Sequence, residues 1–222
     1  MQGLYSFLTK MLISGNLQFK RGEISLLSQP MAILSMRTVK QMNDDAIKRG
    51  KSGINDLYFE GWVFGYTFTQ KLSDAFKLKK FEERYKVVMD VAAMIGFGDF
   101  KTINFYPGFA EYNVIDNPFP KLYKKGGGPV DNLLRGMNAG GSTVVHERIM
   151  NAIELECACD TGNRCHFVSA SLENLTKYDG GLVQKQLDVE YLLPKQKELI
   201  KEMGRDPESY HKLSLDSKYS SV

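Results

Sequence analysis

Apolar residues recur three and four positions apart in several parts of the chain, which is the spacing of an amphipathic helix. The first segment shows this clearly, with Leu4, Phe7, Leu8 and Met11 on one side. By the same criterion, helices are predicted over residues 4–13, 30–48, 58–72, 81–95, 130–138 and 194–203. Pro30 suits the first turn of the second helix. The fifth is expected to stop before Gly140-Gly141.

Between these helices the period changes to two, which is typical of strands. Residues 17–27 predict a strand or a hairpin that turns at Arg21-Gly22. Residues 100–106 and 111–115 predict an antiparallel hairpin around Pro107-Gly108, and residues 148–168 predict two strands joined by a short loop at 160–163. The sequence therefore predicts an α/β fold of the α+β type, a mostly antiparallel sheet with packed helices.

The predicted domain spans residues 17–170. An N-terminal helix in residues 1–16 precedes it, and a C-terminal extension over 171–222 is expected to be partly helical and then loosely ordered. With 222 residues, 43% of them apolar and a net charge of +3, the chain resembles ordinary globular proteins and gives no argument for nucleic-acid binding. Charged residues interrupt every apolar run, so membrane insertion is not expected. An odd number of cysteines and the lack of a signal-peptide pattern predict a cytoplasmic protein.

Two glycines mark the central helix. Gly61 and Gly65 lie four residues apart on one face, where small residues let another backbone approach closely. Aromatic residues are dense around them, and they form either a packed core or the wall of an apolar cavity. The sequence leaves both alternatives open.

All three cysteines lie within nine positions, together with several carboxylates and His166. Thiolates are metal ligands, and glutamate and histidine are common companions on zinc. In a simple hairpin Cys157 and Cys165 face each other, with β-carbons roughly 4.5 to 5.5 Å apart. Cys159 shares the face of Cys157, whereas Glu154 points the other way unless a β-bulge intervenes. The strand pattern alone therefore does not assemble one ligand set.

The order of these elements and the cysteine motif resemble the 4-vinyl-reductase domain family. That family shares its fold with transport-protein-particle subunits and, more distantly, with nitric-oxide-sensing ligand-binding domains. The resemblance covers about residues 22 to 168. Its marks are the glycine-spaced helix at Gly61 and Gly65, the hairpin with Gly108, the segment 131–136 followed by Gly140-Gly141, and the motif Glu154-x-x-Cys157-x7-Cys165-x-Phe167.

The resemblance implies a zinc site. In sensory members of the family the glutamate and the two cysteines of this motif hold zinc, with a further cysteine upstream, and here the upstream position carries an aspartate. The implied ligands are Glu154, Cys157, Cys165 and Asp131, while Cys159, His166 or water stay open as the fourth. The alternative is that these are small buried residues of a terminal hairpin without metal.

The resemblance also implies a function. It favours a non-catalytic, zinc-containing cytosolic domain that binds a small apolar ligand and acts as sensor or adaptor. The aromatic residues expected to contact that ligand are Trp62, Phe64, Tyr66, Phe105 and Tyr112. A homodimer is expected through the helices of residues 4–13 and 30–48, whose apolar stripes need cover.

Two other functions remain: a tethering-type scaffold for protein interaction, and an accessory role in tetrapyrrole vinyl-group reduction. Catalysis is not expected and no catalytic residue is assigned, because neither a dinucleotide fingerprint nor iron–sulfur cysteine spacing is visible.

Overall fold

Two antiparallel sheets and the helices packed on them make up the fold. A computed structural model describes residues 2–211, with side chains described for residues 8–210. The side chains of the predicted apolar positions Leu4 and Phe7 lie outside this description, as do residues 212–222 of the end predicted to be loosely ordered from Arg205. The described part of that end contains a short 3-10 helix, Ser209–His211, and the buried Tyr210. The N-terminal sheet contains β1 (Leu17–Lys20), β2 (Glu23–Leu26) and β3 (Gln29–Met31), in that order.

The larger sheet consists of β4 (Asp99–Tyr106), β5 (Phe109–Ile115), β6 (Met150–Glu156) and β7 (Arg164–Ser171), in the order β4-β5-β7-β6. Every pairing is antiparallel. The helices are α1 (Gln2–Ile13), α2 (Met36–Lys48), α3 (Gly50–Phe76), α4 (Phe81–Met94), α5 (Asn132–His146), α6 (Ala158–Thr161), α7 (Leu172–Leu175), α8 (Gly180–Gln186) and α9 (Val189–Glu202). The predicted α+β class is confirmed. Within residues 2–211, no helix combines the length and the apolar character needed to cross a bilayer.

The second predicted helix begins later than expected. Pro30 lies in the edge strand β3, where its missing N–H breaks no interior ladder bond. Helix α2 starts only at Met36, because Ser35 caps it by accepting a hydrogen bond from the Thr38 backbone N–H at 3.2 Å. The predicted start at Pro30 is therefore wrong, and residues 32–35 form an extended connection with exposed apolar side chains.

Helices α3 and α5 cross at glycines, as the spacing of Gly61 and Gly65 predicts. A β-carbon at Gly61 would lie 2.2 Å from the carbonyl oxygen of Leu133 in α5. At Gly140 it would lie 2.0 Å from the carbonyl oxygen of Trp62 in α3. The predicted helix stop before Gly140 is thus wrong, because this glycine serves close helix approach and α5 continues to His146.

The C-terminal segment packs into the main core. Leu192 and Ile200 of α9 belong to the same buried cluster as Tyr58 and Trp62 of α3. Helix α9 begins at Val189, after an Asp188 cap, so the predicted start at Pro194 is wrong. Helices α7 and α8 were not predicted, because each is shorter than the window over which helical periodicity can be recognised.

Candidate functional site

Two carboxylates and two cysteine thiols meet between α5 and the larger sheet. Asp131 precedes the first turn of α5, Glu154 lies in β6, Cys157 follows β6, and Cys165 lies in β7. All four are buried, and their candidate ligand atoms lie within 4.8 Å of one another. Two thiolates and two carboxylates form a donor set that could hold a divalent metal ion. The structure thus brings together the four residues predicted as metal ligands.

A β-bulge places Glu154 on the side of the cysteines. The register of β6 against β7 shifts between Glu154, which lies opposite Phe167, and Glu156, which lies opposite His166. The extra residue, Leu155, reverses the alternation, so Glu154 shares the face of Phe167 and Cys165. The bulge removes the conflict in the simple strand pattern. The predicted short loop at 160–163 is wrong, because α6 occupies much of this connection.

Hydrogen bonds within the cluster leave one carboxylate oxygen without a partner. The Cys165 thiol donates to Asp131 Oδ2 at 3.2 Å, and Asn117 Nδ2 donates to Asp131 Oδ1 at 3.1 Å. The Asp131 backbone N–H reaches Glu154 Oε2 at 3.4 Å. Glu154 Oε1 is buried and has no hydrogen-bond partner among the described residues. Because an unsatisfied buried acceptor is costly, this oxygen fits a bound cation.

Proton affinities in the cluster reflect crowded negative charge. Burial, together with the charge of Cys157, raises the pKa of Asp131 to about 6. Burial also raises the pKa of Glu154 well above its usual value. The neighbouring Cys165 thiol lowers the pKa of Cys157 to about 5, whereas proximity to Cys157 and burial raise the pKa of Cys165. Protons therefore limit the charge of the cluster, and a metal ion would take their place.

The two residues that the sequence left open as a fourth ligand, His166 and Cys159, lie at different distances from the cluster. His166 lies on the other face of β7, where its Nε2 is 2.9 Å from Glu111 Oε1, so it points away from the cluster. Cys159 lies in α6 with its Sγ 3.0 Å from Cys157 Sγ and 3.1 Å from the carbonyl oxygen of Gly128. Cys159 thus contacts a candidate ligand without belonging to the group of four.

The five aromatic residues predicted to bind a ligand do not share one cavity. Trp62 and Tyr66 stack at 5.1 Å in the main core, where both are fully buried. Tyr112 is buried on β5 and bonds to Ser169, while Phe105 on β4 packs beneath α4. Of the five, Phe64 alone lines the apolar cavity described next. A ligand contact for the other four stays a prediction.

An apolar cavity of about 550 Å³ lies between the N-terminal sheet, α3, α4 and α5. Every described side chain that lines it is apolar, including Leu26, Phe64, Met94, Leu133 and Met137. Three large side chains at its open edge, Phe19, Ile33 and Leu34, are 65%, 83% and 58% exposed. Sequence reasoning missed this cavity except for Phe64, because its walls come from segments far apart in the chain.

The chain is similar in structure to a known sensory domain. It matches the phenol-responsive sensory domain of the transcription activator PoxR with a TM-score of 0.67 and 16% identity, over 85% of this chain and 98% of that one. It is also similar to a vinyl-4-reductase family protein from Methanocaldococcus jannaschii, with a TM-score of 0.46 and 17% identity, over 64% of this chain and 84% of that one. A third similar structure is trafficking protein particle complex subunit 3 from Naegleria fowleri covalently bound to palmitic acid, with a TM-score of 0.48 and 12% identity, over 61% of this chain and 91% of that one.

No protein-family model matches the chain, and no curated protein matches its sequence. The likeness to the PoxR domain shows a common fold. It confirms, at the level of the fold, the resemblance that the sequence motifs indicated.

Proposed function

We propose that this chain is a zinc-stabilised sensory domain that binds a small apolar molecule and transmits its presence through a dimer or a partner protein. The observation that carries this function is the 550 Å³ apolar cavity on a fold shared with a phenol-responsive domain. Its volume falls in the range of small-molecule sites. Three cysteines without disulfides suit a reducing compartment, and we place the protein in the cytosol.

The walls of the cavity define the ligand class. Among the side chains described for residues 8–210, none that lines the cavity carries a hydrogen-bonding group other than the thioethers of methionines such as Met94 and Met137. A hydroxyl on a ligand would therefore lose its water partners without gaining a side-chain partner, which costs binding energy. We expect the cavity to prefer hydrocarbon-like molecules, such as toluene, over hydroxylated ones, such as phenol.

Zinc is the metal that the donor set favours. Cys157 and Cys165 supply soft thiolates, which favour zinc over magnesium and calcium, and Glu154 and Asp131 supply carboxylate oxygens. Ligand atoms around one zinc ion lie roughly 3.3 to 3.8 Å apart. Four atoms that all lie within 4.8 Å of one another are close to such a shell. Four protein donors leave no open position for a substrate, so the site is structural.

The proposed zinc site and the cavity share helix α5. Asp131 precedes the helix and belongs to the cluster of four candidate ligands, while Leu133 and Met137 on the same helix line the cavity. A metal ion would fix the start of α5 against β6 and β7. The wall of the cavity would then be held at the spacing that a ligand needs, which connects the structural metal to ligand binding.

The experiment that tests this function combines metal analysis with ligand binding. Protein purified without chelator should contain about one zinc ion per chain, and toluene should raise its melting temperature more than phenol does. Met137→Trp, which fills the cavity, should abolish the toluene shift. Met203→Trp, at an exposed position outside the cavity, should leave it unchanged. Equal shifts for both variants would contradict the cavity as the binding site.

Dimerisation belongs to the same proposal. The exposed large apolar residues concentrate in the N-terminal quarter of the chain: Leu12, Ile13, Phe19, Ile33, Leu34, Met42 and Ile47. Such a surface is typical of a protein–protein contact. We infer a homodimer through α1, the connection after β3, and α2.

The scaffold alternative has one observation in its favour. The aromatic side chains of Trp62, Tyr66 and Tyr112 are completely buried, so the main core is filled. A scaffold would use the exposed N-terminal apolar surface without any small ligand. Absence of binding by toluene and by a longer alkane, together with a stable dimer, would favour the scaffold.

A further inference from the structure

A second large cavity, of about 730 Å³, lies at the opposite end of α5 from the cluster of four candidate ligands. The last turn of α3 and the residues after it form one side, and α4 and the end of α5 form another. Arg205, Ser209 and Tyr210 complete it from the segment after α9. Tyr210 fixes that segment to α3 through a hydrogen bond of 2.9 Å between its hydroxyl and that of Tyr66. We call this cavity the polar basin. It is separate from the cluster of four candidate ligands and from the apolar cavity.

Positive charge exceeds negative charge in the polar basin. Its charged lining residues are the cations Lys77, Lys79, Arg84 and Arg205 and the carboxylates Asp74 and Glu147. Arg84 pairs with Glu147 at 2.6 Å, whereas no ion pair within the described part of the chain involves the other three cations. The C-termini of α3 and α5 each add roughly half a negative charge. A positive excess of about one charge remains after this correction.

Two residues that line the basin each contain a buried polar atom without a partner among the described residues. Ser73 is 8% exposed, and its hydroxyl oxygen makes no hydrogen bond to any described residue. The same holds for the Nε atom of Arg84. A native fold seldom leaves such groups unsatisfied, and each one calls for an unseen water, ion or ligand.

The backbone at the basin is also unusual. Lys77 and Glu147 end α3 and α5 with φ values of 52° and 49°, in the left-handed region that glycine normally occupies. Each such residue costs free energy, and such residues concentrate at binding sites. Here they bring a cation and a carboxylate of two different helices to one cavity.

We propose that the polar basin binds a small phosphate-bearing anion. Its cations come from α4 and from the segments after α3 and α9, so they surround a central group from several directions. A tetrahedral phosphate presents three acceptor oxygens and about −1.5 to −2 charges at neutral pH, which matches this arrangement better than a planar carboxylate does. The Ser73 hydroxyl and Arg84 Nε supply the uncharged and charged donors that have no partner within the described chain.

Calorimetric titration of the 222-residue chain with inorganic phosphate, glycerol 3-phosphate and succinate, at constant ionic strength, tests this proposal. One phosphate compound should bind saturably with a Kd of about 1 mM or below. Tighter binding of glycerol 3-phosphate would assign an organic phosphate, and tighter binding of inorganic phosphate would assign the free anion. Succinate binding as tightly as either would overturn the proposal, as would the absence of saturable binding.

Two double variants distinguish a specific phosphate site from nonspecific attraction of the anion by the net positive charge of the protein. K79Q/R205Q removes two cations of the basin and should weaken phosphate binding about tenfold or more. K20Q/R21Q removes the same charge at exposed positions of the N-terminal sheet and should leave binding unchanged. Equal weakening in both would mean that only the net charge matters, which contradicts the proposal.

Ser73→Ala distinguishes a ligand contact from a structural role. Because its hydroxyl bonds to no described residue, its removal should not lower the melting temperature in phosphate-free buffer. It should weaken phosphate binding several-fold. A lower melting temperature with unchanged phosphate affinity would assign the hydroxyl to the fold and remove it from the proposed site.

Discussion

The cluster of four candidate ligands and the apolar cavity share helix α5 but differ in how completely the protein closes them. In the cluster, four donor atoms lie within 4.8 Å of one another behind buried side chains. In the cavity, every described lining side chain is apolar, and Ile33 at its edge is 83% exposed. A single metal ion would complete the first region, whereas a small molecule or another protein would fill the second. We therefore expect the cluster to control stability and the cavity to control binding.

The strongest test of this difference is loss of a thiolate. Cys157→Ser or Cys165→Ser should abolish zinc retention and destabilise the fold by about 4 kcal/mol or more, because metal binding energy is folding energy. For a chain of this size the melting temperature should fall by roughly 10 °C. Metal analysis and thermal unfolding measure both effects.

Cys159→Ser is the matched control. Its thiol lies 3.0 Å from Cys157 Sγ, but it is not one of the four grouped donors. Serine keeps a hydrogen-bond donor there, so zinc content and melting temperature should stay close to the wild-type values. Loss of zinc in this variant would assign Cys159 to the ligand set. An unchanged wild-type melting curve in a strong chelator would contradict a structural metal.

The two regions were not equally predictable. The spacing of Glu154, Cys157 and Cys165 is local, so the motif could be recognised in the sequence, although the bulge at Leu155 that completes it could not. Asp131 came from the family resemblance alone. The cavity depends on long-range packing of segments such as β3 and α5, and the misplaced helix start at Pro30 hid its edge.

The roles of the glycines also depended on long-range packing that the sequence does not reveal. At Gly61 the sequence correctly indicated close helix approach, whereas at Gly140 the same residue type was taken for a helix stop. Only the partner helix decides between the two, because glycine permits both a positive φ and close contact. The element types were therefore more predictable than their ends.

Acid sensitivity sharpens the comparison, because two separate regions should contribute to it. His146, at the far end of α5, is buried and accepts the Gly108 backbone N–H at 3.0 Å through Nδ1. Burial lowers its pKa to about 3, with the nearby Arg148 and Arg84 as further causes. Below pH 6.5, His146 therefore binds a proton in the unfolded chain but stays neutral in the folded chain. The stability that depends on neutral His146 is fully present above that pH. On acidification to pH 4 the free energy of unfolding falls by about 3 kcal/mol.

Chemical unfolding from pH 7 to pH 4 of wild type and His146→Gln, both stripped of metal, isolates this contribution. The variant should be less stable at pH 7 and should lose less stability on acidification. Parallel pH profiles for the two proteins would show that His146 does not carry the acid sensitivity. Repeating the comparison with zinc present would add the separate acid response of the four candidate ligands.

A smaller effect on stability, but a larger one on binding, is expected at the cavity wall. Phe64→Ala should cost about 2 kcal/mol, because its ring is only partly buried. It should also weaken toluene binding about tenfold through lost contact. Phe59→Ala removes a ring of similar burial that packs on Trp62 outside the cavity. It should cost similar stability and leave toluene affinity unchanged, and equal loss of affinity in both would contradict a local wall effect.

The smallest effect on monomer stability is expected at the open edge of the cavity. Ile33 and Leu34 are largely exposed, so I33S/L34S should change the free energy of unfolding of the monomer by no more than about 0.5 kcal/mol. If this edge forms the dimer contact, the same change places two hydroxyl groups in an apolar interface and should shift the protein from dimer to monomer.

Light scattering at tens of micromolar measures that shift, with Ile103→Ser on β4, another exposed isoleucine, as the control. A wild-type mass of one 25.1 kDa chain would end the dimer proposal. Dissociation by Ile103→Ser alone would move the interface to the larger sheet.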